Sequence, residues 1–552
     1  MPHPLFEKHQ ALLTQAVNAI EQRGYWAPYA ESTLAYGANA LEEGRVAFEA
    51  YRDAQFYLDQ PGLVERGGVE MSPYGLSLNI SYPKCRPDAL ITAASSAMPA
   101  WIKAGPDTRA GVCGEMLARL NLHSMEMAHA VMHTTGQGLS MAFQFAGPQA
   151  QGRGLEAVAC AWREMRRVPV RALWEKPRSS HPPWRMESTY TIVPRGIALL
   201  VGCATSPTWN GYPGIFASLA TGNPVIVKPH PSVILPLALT VAVARQTLKD
   251  AGFDPNLVSL LVDDPDALVA KEVAIRDEIR IVDYTGGPVF GEWLEENARQ
   301  AVVFAAKAGV NCAIIDSTDN YPGMLKNLVI TLALYSGQMC TTPQAIFVSR
   351  EGVKTPAENI SLEQFELDLS RAMQVFLDNT ARALDILGEL QSPLVLARIQ
   401  ASRELGEVLC ESTALRHPQY PDACIHTPLL LKVSADSTAA YAEERFGPIS
   451  FVVETASTLE SLSLAERVMR QKGALSFSVY TTSAAVWQAS EEVSLRAGVS
   501  PSFNLTEGIN VNQSSGFSDY HATGANPAAN ACLIDSAYVA RRFFVVQSRH
   551  PA

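Results

Sequence analysis

The feature that most constrains this chain is a change of hydrophobic period near Gly196. From there to Ala306, short β-rich runs alternate with helical ones: Ile197 to Cys203, Pro224 to Val227, Val258 to Val262, Ile279 to Tyr284 and Val302 to Ala305, with the helix Val233 to Asp250 before Gly252 among the intervening stretches. Strand, helix, strand at this spacing predicts a doubly wound parallel sheet, because parallel neighbours need a crossover and a helix supplies it. Ligands of such sheets sit beyond the C-terminal strand ends. The loops after these runs are therefore where chemistry is sought.

The flanking regions read differently. Residues 1 to about 165 place apolar side chains three and four apart in Leu5 to Ile20, Leu41 to Leu58 and Met116 to Met132, which predicts helices separated by turns such as Lys103-Ala104-Gly105-Pro106. Val168 to Pro194 alternates and is rich in Trp, Arg and Pro, as an extended ribbon serving another subunit would be. After Asn311 a second α/β set follows, with Ala313 to Ile315, Ala345 to Val348, Ile449 to Val453 and Phe477 to Tyr480 as strands and Tyr538 to Val546 as one long final strand.

Composition narrows the partners. A formal charge of −11 argues against a nucleic-acid or anionic-membrane surface, which would need clustered Lys and Arg. The most apolar run, Val233 to Ala244, contains Pro236 and is too short to span a bilayer. The first residues carry neither a basic region nor an apolar run, so no signal peptide is expected and a cytoplasmic location is the default. Nine cysteines are scattered with no CxxC pair, and His129 and His133 share a helical face without an acidic partner. No metal site is expected.

Of those cysteines, Cys340 stands out, in Gly337-Gln338-Met339-Cys340-Thr341-Thr342 at the end of the helical run Met324 to Leu334. A thiol at a bend can attack carbonyl carbon, whereas one on a packed face is only a small hydrophobe. Asn210, in the loop Pro207 to Pro213, offers a side-chain amide to a developing oxyanion, or is a turn residue. Lys228 ends a strand and reaches a ribose hydroxyl or phosphate, or water. Thr285, Gly286 and Gly287 precede Pro288, so backbone approaches a pyrophosphate at a helix start. Glu444 and Phe446, before Gly447-Pro448, suit a ribose and a nicotinamide ring, or form a turn.

Taken in order, Pro194-x-Gly196, Trp209-Asn210, Gly222-Asn223 with Val227-Lys228-Pro229, Thr285-Gly286, Gly337-Gln338-x-Cys340-Thr341 and Glu444-x-Phe446-Gly447-Pro448 resemble the aldehyde dehydrogenase superfamily. Lys307 to Asn311, Phe517 to His521 and Gly524 to Asn530 resemble one branch, that of the phenylacetic acid degradation protein PaaN. The resemblance implies a split cofactor domain (1–165 and 193–308), a catalytic domain (309–515) and oligomerisation segments (166–192 and 516–552) that make a homodimer or tetramer. It further implies attack by Cys340, an oxyanion held by Asn210 and the Cys340 amide, and riboses held by Lys228 and Glu444. The cofactor would be NADP or NAD, because Pro231 stands where the family often has an acid for the adenosine hydroxyls. The substrate implied is an aldehyde, CoA-linked in this branch, with a separate hydratase for the ring-opening step.

One departure bears on mechanism. Ala306 stands where the family has the glutamate that activates water, and a general base contributes about 10² to 10⁴ in rate. The alternatives are release of the acyl group to CoA, a nucleotide-binding protein with impaired chemistry, or a cysteine hydrolase. The last is disfavoured because no histidine is expected near Cys340, His230 being the nearest candidate.

Overall fold

The computed structural model describes residues 3–509, 516–518 and 520–552. The change of period at Gly196 becomes a parallel sheet of five strands: Ile197–Val201, Val225–Lys228, Val258–Leu260, Ile279–Gly286 and Val302–Lys307. In space they run third, second, first, fourth, fifth. The order reverses between Ile197–Val201 and Ile279–Gly286, and a crevice opens at their C-terminal ends. Ile197–Val201 is buried along its whole length, as a strand with both faces covered must be.

A second sheet has seven strands, in the spatial order Glu407–Cys410, Leu429–Ser434, Ile449–Thr455, Pro343–Ser349, Asn311–Ile315, Phe477–Tyr480, Pro501–Phe503. Only the edge strand Glu407–Cys410 pairs antiparallel within it. The architecture is the α/β pair of sheets expected from the sequence.

The N-terminal part is mostly helical, with Pro4–Gln22, Ala40–Glu49, Pro87–Leu122, Ser124–Thr135, Leu139–Ala146 and Pro148–Arg166. Two expectations change. The run from Leu41 is helical only to Glu49, and the run Met116 to Met132 is two helices broken at His123. At Gly105, with φ 80° and ψ 165°, the stretch Pro87–Leu122 breaks into two helices across a kink, so Gly105-Pro106 separates helices as expected. Trp101 Nε1 and Arg109 Nε donate to the carbonyls of Leu219 and Ala220, both at 2.9 Å, tying this layer to the helix Pro207–Thr221. His133 stacks on Phe48 and meets Ser72 Oγ at 3.1 Å, a core role. Among the described residues no group of His, Cys, Asp and Glu could hold a metal, and no helix is long and apolar enough to cross a membrane.

The tail is not one strand from Tyr538. Ser536–Ala540 is a short helix capped by Asp535, and the strand is Phe543–Pro551. The cause is a buried cluster: Arg542 forks onto Asp283 at 2.6 and 2.8 Å, and Tyr538 donates to the same carboxylate at 2.7 Å. Reaching Asp283 from positions four apart requires a helical turn there. Phe543–Pro551 then pairs antiparallel with Trp184–Pro194, which pairs with Arg171–Lys176, giving a three-stranded ribbon. That ribbon exposes Trp174, Trp184, Phe544, Val545 and Val546.

Candidate active site

A cavity of about 820 Å³ opens at the C-terminal ends of the five-stranded sheet. Cys340, Asn210, Lys228, Thr285, Gly286, Gly287, Glu444 and Phe446, singled out from separate stretches of sequence, all line it. Ala306 and His230 line it too.

Cys340 reaches the cavity through a strained loop. Beyond the helix Tyr321–Ala333, Tyr335, Ser336 and Gly337 take φ values of 50°, 48° and 64°, three left-handed residues in succession. Side-chain bonds hold that conformation: Ser336 Oγ donates to the Leu387 carbonyl at 3.0 Å, and Gln338 Nε2 to the Glu389 carbonyl at 2.9 Å. Asn311 Nδ2 donates to the Cys340 carbonyl at 2.8 Å while its Oδ1 accepts from Leu475 N at 2.8 Å. Gly337 is required for space as well as for φ: a Cβ there would lie 2.4 Å from the Gly447 carbonyl oxygen. The cysteine loop and the Phe446-Gly447-Pro448 turn are therefore in contact, backbone against backbone.

Asn210 lies not in a loop but in the first turn of the helix Pro207–Thr221, with Pro207 at the position where a missing N–H costs nothing. Its Nδ2 donates to Cys203 Sγ at 3.5 Å, which aims the amide toward the thiol side of the cavity. Its neighbour Trp209 takes the Arg153 guanidinium on one face, 3.8 Å from the ring centre, and Arg153 Nε donates to the Trp209 carbonyl at 3.1 Å.

The edge-on partner of Trp209 was not foreseen. His521 packs against it with ring centres 4.7 Å apart, and its Nε2 is 3.7 Å from Cys340 Sγ. This corrects the expectation that no histidine approaches the cysteine. His230 is exposed and bonded to Ser232 Oγ at 2.7 Å. The chain brings His521 in because the segment that follows it docks on the edge strand Val302–Lys307. Ala529 bridges Ala306, Asn530 Oδ1 accepts from Ala305 N at 3.0 Å, and Asn530 N donates back at 3.1 Å. Of the segment 517–521, Asp519 lies outside the described residues.

On the thiol side the facing thiol and imidazole are neutral, under the influence of one nearby guanidinium, that of Arg153. Burial pushes the Cys340 thiol up to about 12; Cys203 adds to this, and Arg153 and the thiol's own backbone amide oppose it. Burial, then the Arg153 charge, lowers His521 to about 3. Near neutral pH the pair is thiol and imidazole. Glu444 is raised to about 7 by burial, with Arg398 pulling the other way.

The strand-end side carries charge. Lys228 is 3% exposed and its Nζ meets Asp263 Oδ1 at 2.7 Å, an acid the sequence did not mark. Burial lowers this lysine and Asp263 counters it. Tyr284 OH donates to the Gly287 carbonyl at 2.8 Å, and Pro288 begins the helix Pro288–Asn297. A Cβ at Gly287 would meet nothing within 4 Å, so open space lies over this helix start. Cation, carboxylate and free helix amides facing open space are a donor set that fits a nicotinamide dinucleotide. Ala306, 4% exposed, supplies no carboxylate to the cavity.

Residues 84–499 match the family described as "Aldehyde dehydrogenase family". A crystal structure of the NAD-dependent aldehyde dehydrogenase from Burkholderia multivorans superposes with a TM-score of 0.98 at 51% identity, over 100% of both chains. The 1-pyrroline-5-carboxylate dehydrogenase from Thermus with bound NAD shares the fold, with TM-score 0.70, 16% identity, and 93% and 96% of the two chains covered. Lactaldehyde dehydrogenase of Methanococcus maripaludis is 23% identical over 45% of this chain and 51% of its own length. The match thus spans about half of that curated relative.

Proposed function

The chain belongs to the aldehyde dehydrogenase family, and from that premise we propose that it oxidises an aldehyde to a carboxylic acid through a thioester on Cys340, with NADP or NAD as oxidant. The observation that carries the reading is the sharing of one cavity by a thiol, a side-chain amide and a glycine-rich helix start. In this reading Cys340 Sγ adds to the carbonyl carbon, and Asn210 Nδ2 with the Cys340 amide stabilises the oxyanion. When bound, the nicotinamide accepts the hydride. Lys228 and Glu444 hold the riboses, Thr285 to Gly287 and the helix start hold the pyrophosphate, and Phe446 flanks the ring.

Pro231 in place of an acid removes a repulsion against a 2′-phosphate, which favours NADP, while the Burkholderia multivorans protein is described as NAD-dependent. The narrower substrate, a CoA-linked semialdehyde of phenylacetate catabolism, rests on the resemblance of Lys307 to Asn311 and of the segments after Phe517. The apolar residues exposed on the ribbon support a homodimer or tetramer.

The test is stopped-flow formation of reduced nicotinamide from medium-chain and aromatic aldehydes, with each cofactor, at enzyme concentrations that resolve one equivalent. Reduced nicotinamide in a burst or at steady state supports the reading; silence with every aldehyde and both cofactors overturns it. Ala306 favours one second reading, acyl transfer to CoA, for which product release would require CoA.

A further inference from the structure

We propose that His521 is the base of this site, taking up the role that Ala306 cannot perform. The assignment rests on the dehydrogenase reading above and deepens it. Three observations converge. His521 Nε2 stands 3.7 Å from Cys340 Sγ, within reach of the thiol proton once a substrate tightens the site. His521 is 7% exposed and held edge-on to Trp209, so the imidazole has a fixed direction. The chain just beyond it is zipped onto Ala305 to Lys307, the strand that lacks the carboxylate. The segment that brings the imidazole is thus docked on the strand where Ala306 stands.

Around the imidazole, the groups that bear on its charge are the Cys340 thiol and the Arg153 guanidinium. Cys203 and Glu444 act on the thiol itself. Arg153 favours the thiolate and disfavours an imidazolium, so the proton is held briefly and passed on. With its proton on Nδ1, the neutral ring presents a lone pair at Nε2 to the thiol.

As the C–S bond forms, the thiol proton moves to Nε2 and the carbonyl π pair moves to oxygen. After oxidation has left an acyl group on Sγ, the imidazolium releases its proton to solvent. Water then attacks the thioester carbon and gives a proton to Nε2. Collapse of the adduct breaks the C–S bond, and the departing thiolate recovers that proton. Thiol and imidazole are regenerated, and the acid leaves.

Two measurements test the assignment in the full-length protein. The first compares single-turnover and steady-state rates in wild type, His521→Gln and His521→Ala. Wild type is expected to turn over steadily, with both rates reduced about 10² to 10⁴-fold in His521→Gln and added imidazole restoring His521→Ala. The second is the rate at which limiting iodoacetamide labels Cys340 near pH 7, followed by peptide mapping, which needs neither aldehyde nor cofactor. A fall of about tenfold in His521→Gln is expected, since the imidazole no longer takes up the thiol proton as the sulfur attacks. A wild type that stops after one equivalent, or a His521→Gln protein that matches wild type in turnover and labelling, overturns the assignment while leaving the dehydrogenase reading in place. Silence of wild type with all aldehydes overturns both.

Discussion

The two walls of the cavity are built on opposite plans. The strand-end wall takes each residue from the end of a strand: Lys228 closes Val225–Lys228, and Thr285 and Gly286 close Ile279–Gly286. Its position is set by ladder hydrogen bonds, and its polarity by one buried ion pair, Lys228 with Asp263. The thiol wall collects Asn210, Cys340 and His521 from three distant segments and fixes them by side-chain contacts: Asn210 on Cys203 Sγ, Asn311 on the Cys340 carbonyl, and His521 on Cys340 Sγ and Trp209. Its thiol and imidazole rest neutral. One wall suits binding of a charged dinucleotide, the other suits proton movement in a dry pocket, and the two should fail separately.

The sharpest way to break that contrast is Cys340→Ala. It should abolish aldehyde-dependent nicotinamide reduction, a loss on the order of 10⁴-fold or more, while nucleotide affinity measured by fluorescence titration stays near wild type. Loss of nucleotide binding as well would mean that the walls are one unit. Next in size is Asp263→Asn, which leaves the Lys228 ammonium buried without its counter-charge. Removing one partner of a buried pair costs about 3 to 5 kcal/mol, to be read as a lower midpoint in urea without nucleotide. An unchanged midpoint would show that the strand-end wall does not depend on this pair.

The same contrast governs what the sequence made legible. The five-stranded sheet, the glycines after Tyr284 and the lysine at a strand end are local signals, since period and turn chemistry lie within a few residues of each other. Asp263 is equally near a strand end, but nothing local distinguishes it from its neighbour Asp264, which pairs with Lys84 instead; only the strand order puts Asp263 beside Lys228. His521 was less accessible still. Its approach to Cys340 depends on the docking of Ala528 to Asn530 on another strand, a contact between segments more than two hundred residues apart. The tail has the same origin: Tyr538 to Val546 is rich in aromatic and β-branched residues, as a strand is, but Tyr538 and Arg542 both bond the distant Asp283, and Ser536–Ala540 is helical.

The smallest expected effect probes the support of the thiol wall. Glu389 is 2% exposed; its Oε1 accepts from Cys424 N at 2.6 Å, while Oε2 has no hydrogen-bond partner among the described residues. Its carbonyl accepts from Gln338 in the cysteine loop. Burial raises its carboxyl from 4.5 to about 8, partly offset by the Cys424 amide. Because the folded value lies above the unfolded one, the folded chain keeps a proton that the unfolded chain releases, and stability falls as pH rises between those two values. Glu444 acts in the same direction, between 4.5 and about 7. Glu389→Gln keeps the acceptor for Cys424 and removes the ionisation. It should therefore leave the unfolding free energy measured in urea nearly unchanged near pH 4 and raise it relative to wild type near pH 8, by about 1 to 3 kcal/mol. A stability profile that runs parallel to wild type across that range would show that Glu389 ionises in the fold without cost, and that the thiol wall is wetter than its geometry implies.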